Sequence, residues 1–198
     1  MTLRENIWGI WETLERSRYN FECTKYLNNP ETEEEFNCIK GSIYLRNIAG
    51  SLWRICIIDF HKIVSGSPND DLCISKLINK IKNNNYRGHN ISPAMVCLWQ
   101  DSLEKNKKAI GLIRTLRNKL FAHTDIGFVE TPDVTFSEIF PVYEMVEVII
   151  KDVYKYAFDT HADLSRRYAD DHGKRMIKMI AEYKIMQRED RFGNVFKK

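Results

Sequence analysis

Apolar residues recur at helical spacing along most of the chain, and polar breaks divide them into segments. The first segment has apolar residues at steps of three, four and seven, which predicts an amphipathic helix. Its members are Leu3, Ile7, Ile10, Leu14 and Phe21. The run Asn-Asn-Pro at 28–30 ends it, and an acidic start at 31–35 predicts a second helix that continues to about Val64.

Four further segments follow the same pattern. A short helix is predicted over 72–81, and Ser92-Pro93 is typical of the start of a helix that reaches about Ala122. The next helix has an apolar stripe, followed by a charged helix over 164–188 with Met176, Met179, Ile180 and Tyr183 at helical spacing. The stripe consists of Ile139, Val142, Tyr143, Val146, Ile149 and Val153. No alternating pattern indicates a sheet, so the predicted fold is an all-α helical bundle.

The overall charge of the chain does not indicate which class of partner the protein binds. The chain carries 30 basic and 27 acidic residues, but residues 165–198 hold ten basic and five acidic ones. A basic C-terminal helix and tail is therefore predicted over 161–198, beside a bundle over 1–160, and RNA contact by the tail is one interpretation. Five separated cysteines without a CxxC pair indicate reduced thiols, and no apolar stretch is long enough for a membrane span. We expect a cytoplasmic protein that does not associate with membranes.

The end of the long helix predicted from Ser92 holds the best candidate for chemistry. On a helical wheel, Arg117 falls inside an apolar arc, and His123 lies beside Leu116 if the helix persists. The arc is wider than one bundle face buries, which predicts a two-fold dimer. The side chains of Arg117 and His123 are separated by about 120° around the helix axis and by ~9 Å along it. An unwound helix end or a second copy of the chain would be needed to bring them together.

An arginine and a histidine suit cleavage of the RNA backbone. The imidazole of His123 would take the proton from a ribose 2′-hydroxyl or give one to the leaving oxygen. The guanidinium of Arg117 would hold the phosphate, and Asn118 would orient the phosphate or the histidine. This route requires neither a metal nor a cofactor. The alternative is structural, with Arg117 neutralised by an internal carboxylate.

The string Leu-Arg-Asn-Lys-Leu-Phe-Ala-His-Thr-Asp at 116–125 resembles the HEPN superfamily, most closely its branch associated with bacterial abortive infection. The resemblance implies a HEPN-like bundle and a metal-independent ribonuclease that acts as a homodimer, a toxin or phage-defence effector. Arg117 and His123 would be catalytic, with Asn118 as an accessory residue. Arg114, Lys119 and Asp125 are the residues expected to contact RNA.

One position departs from the family's toxin branch. That branch has a tyrosine two residues after the histidine, where its nucleotidyltransferase antitoxin acts, and this chain has Asp125. An antitoxin partner therefore stays possible, but tyrosine modification at this position does not. The main alternative function is a catalytically inactive HEPN module that dimerises or binds RNA or nucleotide.

Other polar and aromatic residues have simpler interpretations. His61 is predicted to be a core imidazole bonded to a neighbour, and the four tryptophans are predicted to pack in the core or a dimer interface. The stretch with His161, Asp163, Asp170, Asp171 and His172 matches no metal-ligand spacing, so charged helix surface is expected there. Arg166-Arg167-Tyr168 and Lys174-Arg175 are candidates for phosphate contact.

Overall fold

The computed structural model describes residues 1–65, 70–86, 88–118, 136–162 and 172–195. These residues form eight α-helices and contain no strand, which confirms the all-α prediction. The helices are α1 (Leu3–Asn28), α2 (Glu33–Lys40), α3 (Ile43–Ser65), α4 (Ile74–Lys82), α5 (Pro93–Lys105), α6 (Lys107–Leu116), α7 (Phe136–Phe158) and α8 (His172–Val195). No helix in these ranges is both long enough and apolar enough to cross a membrane.

The helix predicted from 31–35 to Val64 is two helices, so that prediction is wrong in its continuity. α2 begins with a capping box formed by Thr32 and Glu35. It ends where the Gly41 N–H donates to the Asn37 carbonyl at 3.0 Å. Ser42 then starts α3 by accepting a hydrogen bond from the Leu45 N–H at 3.3 Å. A stop signal and a start signal therefore stand side by side.

The helix predicted from Ser92 to Ala122 is also divided. Ser92 caps α5 as predicted, accepting a hydrogen bond from the Met95 N–H at 3.3 Å. The break lies at Asn106, whose side-chain amide donates to the Ser102 carbonyl at 2.9 Å. A new helix, α6, starts at Lys107. The last part of the predicted helix, 119–122, lies outside the described residues.

One compact unit contains Met1–Arg18 and Arg54–Ser165. The six apolar residues of the predicted α7 stripe are all buried in it, which confirms that prediction. The Tyr143 ring stacks on Phe60 with centroids 3.8 Å apart. The Tyr143 hydroxyl lies 2.5 Å from Ser17 Oγ and 3.3 Å from Cys56 Sγ. These contacts join α1, α3 and α7 into the core that supports the end of α3.

The second compact unit contains Tyr19–Trp53 and Arg166–Lys198. In α8, Ile177 and Ala181 are buried. They belong to a cluster with Leu27, Cys38, Ile39 and Leu45. The four α8 residues noted in the sequence for their helical spacing, including Met179 and Tyr183, are exposed. The division of the chain at residue 160 stays a prediction.

Candidate functional site

The last turn of α6 separates apolar from basic residues. Ile113 and Leu116 are buried and fix the helix within the first unit. Arg114 and Arg117 are exposed, and their spacing of three places them on one side of the helix. Arg117 directly follows α6 with helical backbone angles, φ −58° and ψ −47°. The expectation that Arg117 faces a buried surface is therefore wrong in this chain.

The exposure of Arg117 follows from how much of the apolar arc is buried. The sequence arc included Ile110 and Leu112, but both are only partly buried. The surface that packs inside the chain is therefore narrower than the helical wheel indicated, and Arg117 lies beyond its edge. An exposed guanidinium keeps its hydration and carries no burial cost.

Asn118 contacts Arg117 directly. The Arg117 Nη1 group donates a hydrogen bond to Asn118 Oδ1, at 3.0 Å. The Asn118 side chain therefore restricts the position of the Arg117 guanidinium. This role is additional to the one predicted for Asn118, which was to orient the phosphate or the histidine. Within the described ranges no carboxylate forms an ion pair with Arg114 or Arg117, whereas Arg16 of the same unit pairs with Asp59 at 2.6 Å. The proposed internal neutralisation of Arg117 finds no partner in this part of the chain.

A second helix end meets this turn of α6. The Arg114 Nε group donates to Ser65 Oγ at 2.9 Å, and Ser65 is the last residue of α3. Ser65 Oγ also lies 3.3 Å from His61 Nε2, one turn earlier on α3. His61 is partly buried and bonded to a neighbour. The predicted hydrogen bond is confirmed, but the predicted core position is wrong.

The surroundings of His61 favour the neutral imidazole. Burial lowers the pKa of His61 most, and the positive charges of Arg117 and Arg114 lower it further. Asp70 acts in the opposite direction. A cation close to two arginines is disfavoured, so these side chains share one electrostatic environment. Sequence reasoning missed this link, although His61 and Ser65 stand four residues apart at the polar end of α3.

Three of the predicted site residues, Lys119, His123 and Asp125, lie outside the described residues. Asp163, Asp170 and Asp171 of the His/Asp stretch, and the run Arg166-Arg167-Tyr168, lie outside them as well. His161 is exposed. The described part of the chain contains no cluster of His, Cys, Asp or Glu suited to hold a metal ion.

Two other predictions concern ordinary packing. Trp99 is buried and its Nε1 group donates to Asp152 at 3.0 Å, while Trp8 and Trp11 contact each other edge to face. Core packing is thus confirmed for Trp99, whereas Trp11 is only partly buried and Trp8 is exposed. The five cysteines are free, and three of them are buried.

The all-α bundle and the exposed Arg117-Asn118 pair at the end of α6 are the features expected of a HEPN-like protein. The family model HEPN_AbiU2, described as AbiU2, matches residues 5–176 of this chain. The chain therefore belongs to this abortive-infection-like family of the HEPN superfamily. No curated protein and no solved structure matches it.

Proposed function

We propose that this protein is a metal-independent endoribonuclease of the HEPN type and a toxin or phage-defence effector. One observation carries the proposal: Arg117 is exposed, held by Asn118 and without an ion-pair partner among the described carboxylates. Family membership supports an abortive-infection context. The protein would act in the cytoplasm, where its RNA substrates are.

The proposed reaction uses the substrate's own 2′-hydroxyl. His123 accepts the proton of this hydroxyl or protonates the leaving 5′-oxygen, and solvent water takes or supplies the other proton. The 2′-oxygen attacks phosphorus and the P–O5′ bond breaks, which leaves a 2′,3′-cyclic phosphate and a 5′-hydroxyl. Arg117 binds the phosphate and stabilises the charge that grows on its oxygens. The nucleophile is not a metal-bound water, so the route needs no metal.

The proposal includes a homodimer with two motifs in a shared cleft. Apolar side chains of the first unit remain exposed, among them Leu98 at 59% and Val148 at 54%. Burial of such residues favours self-association. Light scattering at tens of micromolar should show twice the chain mass. A monomer at this concentration would contradict the shared cleft.

His123→Ala tests the catalytic part of the proposal. Removing an acid/base imidazole should lower RNA cleavage about 10²–10⁴-fold without unfolding the protein. Lys108→Ala is the matched control, since Lys108 is an exposed cation on the same helix as Arg114. Cleavage by His123→Ala at the rate of the control would contradict the mechanism.

The alternative function is a catalytically inactive HEPN module that binds RNA or nucleotide. Arg114 and Arg117 support this alternative as much as they support the ribonuclease, because two exposed guanidinium groups bind phosphate with or without catalysis. Binding of RNA by the wild type without any cleavage would identify this alternative. DNA of the same sequence should be bound but left intact under the proposed mechanism.

A further inference from the structure

The ends of α3 and α6 form one connected group of side chains. Arg114 donates to Ser65, and Ser65 lies within hydrogen-bond distance of His61. We propose that Ser65 and His61 position Arg114 beside Arg117, so that the two guanidinium groups together bind the phosphates of one RNA strand. The identity of the ligand rests on the proposed function, whereas the arrangement of the three side chains does not.

The chemistry of the donors fixes the direction of the hydrogen-bond chain. Arginine has only donors, so Ser65 Oγ is the acceptor of the bond from Arg114 Nε. The hydroxyl hydrogen of Ser65 is then available to His61 Nε2, which accepts it when the imidazole is neutral. The chain uses the Nε–H of Arg114 and leaves the N–H groups of both Nη atoms for a phosphate. His61 is thus a positioning residue that acts through Ser65 and Arg114.

Charge couples His61 to the phosphate. Among the described residues, the charged groups that act on His61 are Arg114 and Arg117 from the end of α6 and Asp70 ahead of α4. A phosphate bound by the two arginines would offset their charges and raise the pKa of His61 above its value in the free protein. Phosphate binding and protonation of His61 therefore favour each other. The protonated imidazole donates from Nε2 to Ser65 Oγ, which can still accept from Arg114 Nε, so the hydrogen-bond chain persists in both states. RNA affinity should increase as the pH falls through the range of the His61 pKa.

The test measures binding of a fluorescently labelled 2′-O-methyl oligoribonucleotide to the full-length chain between pH 5.5 and 8. This probe carries RNA phosphates but lacks the attacking hydroxyl, so it reports binding independently of cleavage. Arg114→Ala should weaken binding about tenfold, the effect of removing one hydrogen bond to a charged group. Ser65→Ala and His61→Leu should weaken it in the same direction, and Lys108→Ala should not.

His61→Gln separates positioning from a merely structural role. The glutamine amide accepts a hydrogen bond from Ser65 but does not titrate. Affinity at pH 8 should therefore stay near that of the wild type, while part of the strengthening at low pH disappears. The other histidines are present in both proteins, so this difference reports His61.

Two outcomes would overturn the inference. In one, Ser65→Ala and His61→Leu lower the thermal midpoint but bind the probe as the wild type does. In the other, His61→Gln keeps the full pH dependence. Either result leaves the proposed ribonuclease intact, because cleavage is measured separately on unmodified RNA. If the variants show the expected binding effects but the wild type does not cleave unmodified RNA, that result contradicts the proposed function and leaves this inference standing.

Discussion

Two basic regions of the chain differ in what surrounds their charges. In the second unit, Lys174 and Lys178 of α8 both pair with the Glu31 carboxylate, and the Lys178 contact is 2.9 Å long. These hydrogen bonds lower the pKa of Glu31 to about 2. At the end of α6, Arg114 and Arg117 contact a hydroxyl and an amide. The described residues supply them with no carboxylate.

The comparison shows that a count of basic residues does not locate a phosphate-binding surface. The C-terminal segment is the more basic region in the sequence, yet two of its lysines already share the Glu31 carboxylate within the chain. The end of α6 has fewer cations, but their hydrogen-bond partners among the described residues are uncharged. An anionic ligand gains the most binding free energy at cations from which no internal anion has to be displaced.

Substitution of Arg117 should have a greater effect than any other change, and the effect is on RNA cleavage. Arg117→Ala should lower RNA cleavage about 10²–10⁴-fold, because the growing phosphate charge loses its bidentate donor. Arg117→Lys should restore little, since a point charge does not reproduce the planar fork. The double variant Lys174→Ala/Lys178→Ala should cleave as the wild type does. Equal decreases from both regions would invalidate the comparison.

The second effect concerns stability. Ile177 is 4% exposed and Ile180 is 38% exposed on the same helix. Ile177→Ala should cost about 2–4 kcal/mol of unfolding free energy, measured in urea, because it leaves a cavity in the core of the second unit. Ile180→Ala is the matched control and should cost clearly less. Similar costs for the two variants would mean that α8 packs through a different face.

The third effect is on the salt dependence of RNA binding. Removing one cation that binds a phosphate of single-stranded RNA makes the slope of log K against log salt shallower by about 0.7. Arg114→Ala and Arg117→Ala should each show this decrease. Lys178→Ala should leave the slope unchanged, because Lys178 already pairs with Glu31. A decrease for Lys178→Ala would place RNA on α8 as well.

The smallest effect is a pH dependence of stability in the second unit. The folded-state pKa of Glu31 is about 2 against an ordinary value of 4.5. A lowered carboxyl pKa contributes stability that is fully present above 4.5 and is lost as the pH falls toward about 2. Glu31→Gln should reduce this loss in acid denaturation. Glu144→Gln, an exposed glutamate of α7, serves as control.

Local sequence signals predicted most helices but not every break. The α7 stripe was predictable, because buried residues at helical spacing leave a clear pattern. The breaks at Gly41-Ser42 and Asn106 were not recognised, because apolar periodicity continues on both sides of each. The choice of the buried face of α8 depends on α2, a contact between distant segments that periodicity does not reveal.

The candidate site was predictable in part for the same reason. Arg117 and Asn118 stand in a recognisable local string, and the contact between them is between neighbours. The contact from Arg114 to Ser65 joins residues 49 positions apart, so no local pattern indicates it. The exposure of Arg117 depends on how much of the α6 arc other helices cover, which the wheel alone does not give.

The proposed role of the end of α6 is a metal-independent cleavage in which the RNA's own 2′-hydroxyl attacks the phosphate. The most direct measurement identifies the ends of the products that the wild type forms from RNA in the presence of EDTA. We expect undiminished cleavage, with a 2′,3′-cyclic phosphate on one product and a 5′-hydroxyl on the other. Cleavage that stops with EDTA, or products with a 3′-hydroxyl and a 5′-phosphate, would contradict it.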